Sequence, residues 1–374
     1  MDDSRINDGH VIVAIVSVLA VIGLVMVAST KMVGAESPSD CGHLNRQILW
    51  VLLAVVVMFV FAKIDYRLLA VFSPFILVGT VLLLIAVLVI GTEHNGAKRW
   101  IRFLGFGVQP SELAKLALVI FVAAWLSRDV DRPKSLRHGF LPVLIVAGLL
   151  GGLVLIEPDF GTAVLIGVVA VIIGLVAGVR IRHVVPLVVL SIPLFYHLVW
   201  TVKYRHDRLL AFLNPWEYYD GVGYQLCQSL VGLGTGGFAG VGVGQSRQKL
   251  GFLPEAVHDF IFAILGEELG ALGTVTVLVL FAAFVVFGMR VAFRSRDRLG
   301  FLIASGVTLT IGLQALVNMA VVTGSAPTKG ISLPFVSFGG SSLFFLMCSV
   351  GVLLNVARRS EAARVGPVDA AAPG

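Results

Sequence analysis

The hydrophobic pattern of the chain is a succession of long, nearly charge-free runs separated by short polar segments. A helix needs about 20 residues, at 1.5 Å rise per residue, to cross about 30 Å of hydrocarbon. Ten runs reach or approach that length, so the pattern predicts an all-α polytopic membrane protein with about ten transmembrane helices. The runs are residues 11–30, 48–62, 68–90, 113–126, 140–156, 160–179, 184–202, 260–289, 299–323 and 341–357.

Composition agrees with this pattern and excludes several other classes of protein. With 57% hydrophobic and 13% charged residues, the chain has too little polar surface to cover a water-soluble globule. Cys41, Cys227 and Cys348 show no paired spacing, which argues against a zinc site or a disulfide framework. The net charge of +6 comes from basic residues at the ends of apolar runs, so we expect no nucleic-acid partner.

The distribution of basic residues orients the predicted helices. If the N-terminus is inside, the inner loops carry sixteen lysines and arginines and the short outer loops carry six, as the positive-inside rule requires. The expectation is one integral membrane domain over residues 1–359, a short disordered tail over 360–374, and both termini in the cytoplasm. The one long connection, 203–259 between the seventh and eighth runs, then lies outside, and its length indicates a functional role.

Few ionisable residues lie in or beside the apolar runs, and such residues are default candidates for function. Glu112 and Lys115 follow Pro110 and are three residues apart, which places them on one helix face. A structural ion pair and a role in substrate binding or gating both remain open. In the turn at 157–162, Pro158 ends one helix and Asp159 can cap the next.

Asp259 stands where the long outer connection meets the eighth apolar run. A carboxylate half withdrawn from water has a raised pKa and can act as a general base near neutral pH. The alternative is an N-cap for the eighth helix, because Asp is a favoured capping residue. The glycine clusters before it, within 232–244, are not preceded by a strand or followed by a phosphate-loop lysine, so they predict tight turns rather than a nucleotide site.

Five segments in order resemble the SEDS family (shape, elongation, division and sporulation), whose best-known members are RodA and FtsW. They are GAKRW at 96–100, QPSE at 109–112, EPDFGT at 157–162, the connection 208–268, and PTKG at 327–330 followed by LPFVSFGGSS at 333–342. The resemblance extends over nearly all ten runs. It implies a peptidoglycan glycosyltransferase that polymerises lipid II at the outer face of the bacterial cytoplasmic membrane.

The resemblance also implies roles for individual residues. Asp259 falls on the family's essential acid and would take the proton from the acceptor's 4-hydroxyl as it attacks the donor's anomeric carbon, with inversion. Positive charge is then needed at the leaving diphosphate, from basic side chains or from a divalent cation such as Mg²⁺ or Mn²⁺ with unknown ligands. Arg208, Lys249 and, above all, Lys329 are the outer-face candidates, although Lys329 can also be a lysine snorkelling at the interface. Glu112, Lys115 and Ser341 are further substrate-binding candidates.

The chain departs from the family pattern at three positions. His258 directly precedes Asp259 where the family usually has His-Thr-Asp, Phe338 replaces a tyrosine, and Gly107 stands where some members are basic. PTKG resembles the division-type FtsW branch more than the RodA branch. Either branch implies a class B penicillin-binding protein as partner, together with other divisome or elongasome membrane proteins.

Two other hypotheses are compatible with a ten-helix membrane protein. A lipid II flippase or transporter would use interior charges such as Glu112, Lys115, Glu267 and Glu268, but we find no paired interrupted helices in the two halves, as inverted-repeat transporters have. A non-catalytic scaffold of the cell-wall machinery has no need for Asp259.

Overall fold

The computed structural model describes residues 7–32, 39–94, 97–103 and 106–365. Within these ranges the chain forms twelve α-helices and three short strands. The helices are α1 Asp8–Met32, α2 Ser39–Lys63, α3 Tyr66–Ile90, α4 Pro110–Ser127, α5 Leu141–Ile156, α6 Phe160–Val176, α7 Ile181–Trp200, α8 Lys203–Leu213, α9 Tyr224–Gly236, α10 Ile261–Arg294, α11 Arg298–Val322 and α12 Gly340–Val365; the strands are β1 Thr92–His94, β2 Ala97–Phe103 and β3 Phe106–Val108.

The prediction of about ten transmembrane helices is confirmed. In the described ranges, nine helices are long and apolar enough to cross a membrane, namely α1 to α5, α7 and α10 to α12. The tenth, α6, is apolar but shorter. At 17 residues it measures about 25 Å, slightly less than the hydrocarbon thickness of a bilayer.

Several helix boundaries differ from the predicted runs because charged residues do not interrupt these helices. α4 begins at Pro110 rather than 113, since proline suits the first helical turn and Glu112 is neutralised within the helix by Lys115. α2 begins at Ser39, nine residues before the predicted run. α12 continues to Val365, past the boundary predicted at 360, while 366–374 lie outside the described residues.

The connections predicted to lie outside the membrane contain more regular structure than the sequence suggested. The connection 203–259 is not a simple loop, because it includes the helices α8 and α9. Between α3 and α4 the strands β1, β2 and β3 form an antiparallel three-stranded sheet, which the apolar pattern did not predict. Strands this short give no clear alternation in the sequence.

The centre of the bundle is formed by α4, α11 and α12, which bury most of their residues, whereas α7 leaves most of its apolar surface exposed. Small residues let the central helices approach closely. A Cβ added at Gly306 of α11 would lie 2.7 Å from Val119 of α4 and 3.0 Å from Ile173 of α6. Close packing at small residues is a usual way for helices to associate in membranes.

The helix α10 is interrupted at Gly270, whose φ of 64° and ψ of −161° are not helical. The glycine-rich segment after α9 satisfies the backbone groups that this break leaves unpaired. Val241 and Gly242 donate to the carbonyls of Glu267 and Glu268, both at 3.0 Å, and the amides of residues 271 and 272 donate to the carbonyls of residues 237 and 238. The glycine clusters are therefore tight turns, as predicted, and they stabilise a broken membrane helix.

Candidate active site

Asp259 lies in the irregular segment that leads into α10. Its backbone N–H donates to the carbonyl of Glu255 at 3.2 Å, and its side chain is half-buried. The N-cap position of α10 is occupied by Phe260, with no side-chain capping hydrogen bond. The alternative role of Asp259 as the N-cap of this helix is therefore wrong, and its carboxylate is available for chemistry.

The carboxylate of Asp259 faces a tight turn at Gly330. Ile331 N donates to Lys329 O at 3.0 Å, closing a three-residue turn with Gly330 at its tip. A Cβ added at Gly330 would lie 2.9 Å from Asp259 Oδ2. A side chain at position 330 would have to displace the carboxylate, so glycine permits this close approach.

The N-terminus of α6 forms another wall of the site. Asp159 caps this helix by accepting from Thr162 N at 3.1 Å and from Thr162 Oγ1 at 2.9 Å, which confirms its predicted capping role. Two cations lie over the ring of Phe160, with Lys329 Nζ 5.0 Å and Arg205 Cζ 5.1 Å from its centroid. These distances are within the range of cation–π interactions.

Two further arginines contribute positive charge around Asp259. Arg208 of α8 donates to Thr328 O at 3.3 Å and stacks over Tyr204, with Cζ 4.3 Å from the ring centroid. Arg99 of β2 donates through Nε to Glu157 O at 3.0 Å. Both guanidinium groups act to lower the pKa of Asp259. The structure therefore places Arg208 and Arg99 close enough to Asp259 to act on its pKa, and it places Lys329 in the turn that Asp259 faces.

The environment of Asp259 raises its pKa to about 7. Burial is the largest cause, the negative charges of Glu255 and Asp159 add to it, and Arg99 and Arg208 oppose it. The expected raised pKa is thus confirmed in direction, and it suits a general base at neutral pH. Burial also lowers the pKa of Lys329.

Glu157 was missed as a chemically unusual group, because its sequence context indicated only a turn. It is fully buried, and in the described part of the chain neither carboxylate oxygen has a hydrogen-bond partner. Burial and then the charge of Asp159 raise its pKa to about 8, against the effect of Arg99. We therefore expect Glu157 to be largely protonated at neutral pH.

Glu112 and Lys115 form the ion pair that their spacing predicted, with Nζ 2.9 Å from Oε2. Lys115 also donates to Gln314 Oε1 of α11 at 2.6 Å, and Gln314 Nε2 donates to Ser332 O at 3.0 Å. The pair borders a cavity of about 20 Å³ between α4, α11 and α12, room for roughly one water molecule. It is thus linked to the segment after Gly330 without contacting Asp259, and its substrate or gating role stays a prediction.

Two predicted substrate-binding residues have structural partners elsewhere. Lys249 Nζ is 3.0 Å from Glu268 Oε1 of α10 and 3.0 Å from Ser29 Oγ of α1, and both charged side chains are at most 1% exposed. Ser341 Oγ accepts from Gln109 N at 3.3 Å, which ties the beginning of α12 to the beginning of α4. The structure does not bring either residue to Asp259.

Comparison with known proteins identifies the family. A family model described as "Cell cycle protein", covering FtsW, RodA and SpoVE, matches residues 9–362. The chain belongs to the FtsW/RodA/SpoVE family.

Members of the FtsW/RodA/SpoVE family match almost the whole chain. The probable peptidoglycan glycosyltransferase FtsW of Geobacter metallireducens is 42% identical over 94% of this chain and 95% of its own length. Stage V sporulation protein E of Bacillus subtilis is 40% identical over 96% and 100%. A chain from a peptidoglycan synthase complex that coordinates polymerization and crosslinking has a TM-score of 0.78 at 28% identity, over 93% and 97%. RodA of Thermus thermophilus has a TM-score of 0.69 at 25% identity, over 93% and 95%.

Two departures from the FtsW/RodA/SpoVE motifs contact each other. The Nδ1 atom of His258 is 2.9 Å from Phe338 O, and the two rings meet edge to face with centroids 5.4 Å apart. Phe338 N donates in turn to Val257 O at 3.0 Å. His258 therefore joins the segment before Asp259 to the segment before α12, a structural role that the sequence alone left undetermined.

Proposed function

We propose that the chain is a peptidoglycan glycosyltransferase that polymerises lipid II, with Asp259 as the general base. The observation that carries this proposal is a half-buried carboxylate with a pKa near 7, which faces the turn of Lys329 and Gly330 and has Arg99 and Arg208 close enough to lower its pKa. The names of relatives that match over nearly their full length, peptidoglycan glycosyltransferases among them, support it.

The reaction transfers a glycosyl group from a diphosphate to a sugar hydroxyl. The Asp259 carboxylate takes the proton of the acceptor's 4-hydroxyl while that oxygen forms a bond to the donor's anomeric carbon. The bond between this carbon and the diphosphate oxygen breaks, its electron pair remains on the lipid diphosphate, and the anomeric configuration inverts. A base with a pKa near 7 is ionised often enough to accept the proton and basic enough to hold it.

The leaving diphosphate gains negative charge, and the cations of the site are placed to stabilise it. Lys329 belongs to the turn that Asp259 faces, and its ammonium lies over the ring of Phe160. Arg208 donates to the carbonyl of Thr328, and Arg205 also lies over the Phe160 ring. Because Lys329 is partly withdrawn from water, its ammonium has lost hydration that a diphosphate oxygen can replace.

A divalent cation would be an additional source of positive charge. The described residues contain no group of three or more His, Cys, Asp or Glu side chains able to hold a metal alone. Mg²⁺ is commonly held by one or two carboxylates together with substrate phosphates, and the mutual repulsion of Asp259 and Asp159 shows that their charges are close enough to interact. However, Asp259 must stay uncoordinated to accept the proton, and both oxygens of Asp159 accept hydrogen bonds from Thr162, so these two residues do not fit a cation and no step is assigned to one.

We further propose the division-type FtsW branch, a class B penicillin-binding protein as the crosslinking partner, and the bacterial cytoplasmic membrane with both termini inside. The FtsW-named relatives at about 41% identity support the branch. The resemblance to a chain of a complex that couples polymerization and crosslinking supports the partner. The distribution of basic residues supports the orientation.

The interior charges offer little support for transport. Glu112 is paired with Lys115, and Glu268 is paired with Lys249. Glu267 accepts from Ser246 Oγ and from the backbone N–H groups of Arg247 and Gln248. Carboxylates held in this way stabilise the fold and do not line an open path.

The proposed function is tested by glycan synthesis from purified lipid II, with the penicillin-binding partner present. Wild type is compared with Asp259→Asn at equal folded amounts, and with Asp207→Asn, which alters an acid of the same outer connection that contacts His206. We expect polymer from wild type and Asp207→Asn and none from Asp259→Asn. Equal polymer from all three would remove Asp259 from the mechanism.

A further inference from the structure

One buried amide joins the two segments that form the site. Asn318 lies on α11, about one turn before its end at Val322, and its side chain is buried. Its Nδ2 donates to Asp259 O at 2.8 Å and to Ile331 O at 2.7 Å. Both protons of one amide are therefore bound to the backbones of two segments that are distant in sequence.

These two hydrogen bonds lie on either side of the contact between the carboxylate and the turn. One carbonyl belongs to Asp259 itself, and the other belongs to the residue that closes the turn around Gly330. Between them, Asp259 Oδ2 lies 2.9 Å from the Cβ position of Gly330. Because Asn318 is part of a long buried helix, it fixes both carbonyls to one rigid element.

We propose that Asn318 is a positioning residue that sets the distance between the general base and the Lys329 turn. This inference rests on the proposed function and deepens it. The attack needs the base and the cation in one geometry, and a displacement of about 1 Å can lower a rate roughly 100-fold. Leucine at this position would have similar size but no donor, so both carbonyls would lose their partner while the packing volume is kept.

The first experiment tests the position without using the reaction. In the Asp259→Cys/Gly330→Cys variant, the second cysteine Cβ would lie 3.8 Å from the position of Asp259 Cγ, which the first cysteine's sulfur would approximately occupy. A disulfide is therefore within reach after small adjustments. With the three native cysteines replaced by alanine, the rate of disulfide formation is followed by thiol labelling, in the Asn318 background and in the Asn318→Leu background.

A matched control comes from the same helix. Thr308 of α11 is buried, and its hydroxyl has no hydrogen-bond partner in the described part of the chain. Thr308→Val therefore removes a buried polar group without affecting the two segments. With Asn318→Leu the segments of Asp259 and Ile331 are no longer fixed to α11, so we expect the crosslink to form at least about tenfold more slowly. With Thr308→Val we expect the original rate. Equal rates in all three backgrounds would overturn the inference.

The second experiment measures the consequence for lipid II polymerisation across pH. Asp259 is faced by Glu255 on its own segment, Asp159 before α6, Arg99 of β2 and Arg208 of α8. For Asn318→Leu we expect turnover at saturating substrate to fall about 100-fold with KM nearly unchanged, and the acidic limb of the profile to move to lower pH as the carboxylate gains water. Thr308→Val should match wild type.

The two experiments separate the inference from the proposed function. Slower crosslinking in Asn318→Leu with no polymer from wild type would leave the positioning role standing and reject the polymerase. Slower crosslinking with wild-type turnover and an unmoved acidic limb would reject a role in catalysis. A matching loss of turnover in Thr308→Val would show that any buried polar change in α11 has this effect, and would also overturn the inference.

Discussion

Removing the charge of Lys249 should destabilise the protein rather than weaken substrate binding. Lys249 and Glu268 form an ion pair at 3.0 Å with side chains 1% and 0% exposed, so Lys249→Met leaves a buried carboxylate whose remaining side-chain donor is Ser29. Removing one partner of a buried ion pair costs about 3–5 kcal/mol. We expect a loss of that size in the free energy of unfolding, measured by reversible denaturation in mixed micelles.

A double variant distinguishes this explanation from a substrate role. Replacing a buried ion pair by apolar residues of similar volume is often nearly neutral, so Lys249→Met/Glu268→Met should recover most of the stability lost in Lys249→Met. Its polymerisation activity at equal folded amounts should then approach that of wild type. If Lys249→Met instead keeps wild-type stability and loses activity, and the second substitution restores nothing, Lys249 binds substrate and the structural reasoning is refuted.

Three further predictions concern the titrating groups and the turn of the site. Polymerisation should decline as pH falls below about 7, because the Asp259 base becomes protonated there, and a rate that is flat from pH 5.5 to 8 would contradict this. Glu157 has a pKa of about 8 in the folded state, above its ordinary value of 4.5, so between these pH values the folded state binds more protons than the unfolded state. The contribution of Glu157 to stability therefore falls as pH rises from 4.5 to 8, by up to about 1.4 kcal/mol per pH unit. Thermal unfolding of Glu157→Gln should lack this dependence and show a gain over wild type at pH 8; an identical pH dependence would disprove it. Gly330→Ala, which places a Cβ 2.9 Å from Asp259 Oδ2, should lower turnover by roughly 10- to 100-fold with little change in stability, and full activity would show that the approach is not required.

Much of the fold was predictable because membrane helices are specified by local composition. Ten apolar runs correspond to ten apolar helices in the described residues, and the errors within these elements were at the helix ends. The early start of α4 at Pro110 depends on an ion pair between Glu112 and Lys115, which a count of charges treats as an interruption. The helices α8 and α9 were missed because the polar and glycine-rich helices of the connection 203–259 contain no long apolar run.

The site was only partly predictable, since most of its walls come from distant segments. Asp259 could be found locally, as an acid at the junction of a loop and an apolar helix. Arg99 comes from the strand β2, Arg205 comes from the helix α8, and Phe160 comes from the first turn of α6. Each is ordinary in its own segment, and only tertiary packing brings two cations over one ring. The motif GAKRW at 96–100 contained the only sequence signal for Arg99.

The contrast between two lysines that were predicted to lie on the outer face shows which information the sequence does not contain. Lys249 and Lys329 both lie in glycine-containing connections before an apolar helix, and both satisfied the rule that a diphosphate needs positive charge. The two lysines differ in the side chain that each ammonium group contacts. Lys249 meets a carboxylate because the break at Gly270 draws the preceding segment of the connection onto α10. Lys329 meets an aromatic ring, which holds an ammonium without neutralising it. An anionic substrate can bind Lys329 in competition with the ring, whereas at Lys249 it would have to displace the carboxylate of Glu268. The structure therefore favours Lys329 as the lysine that binds the diphosphate.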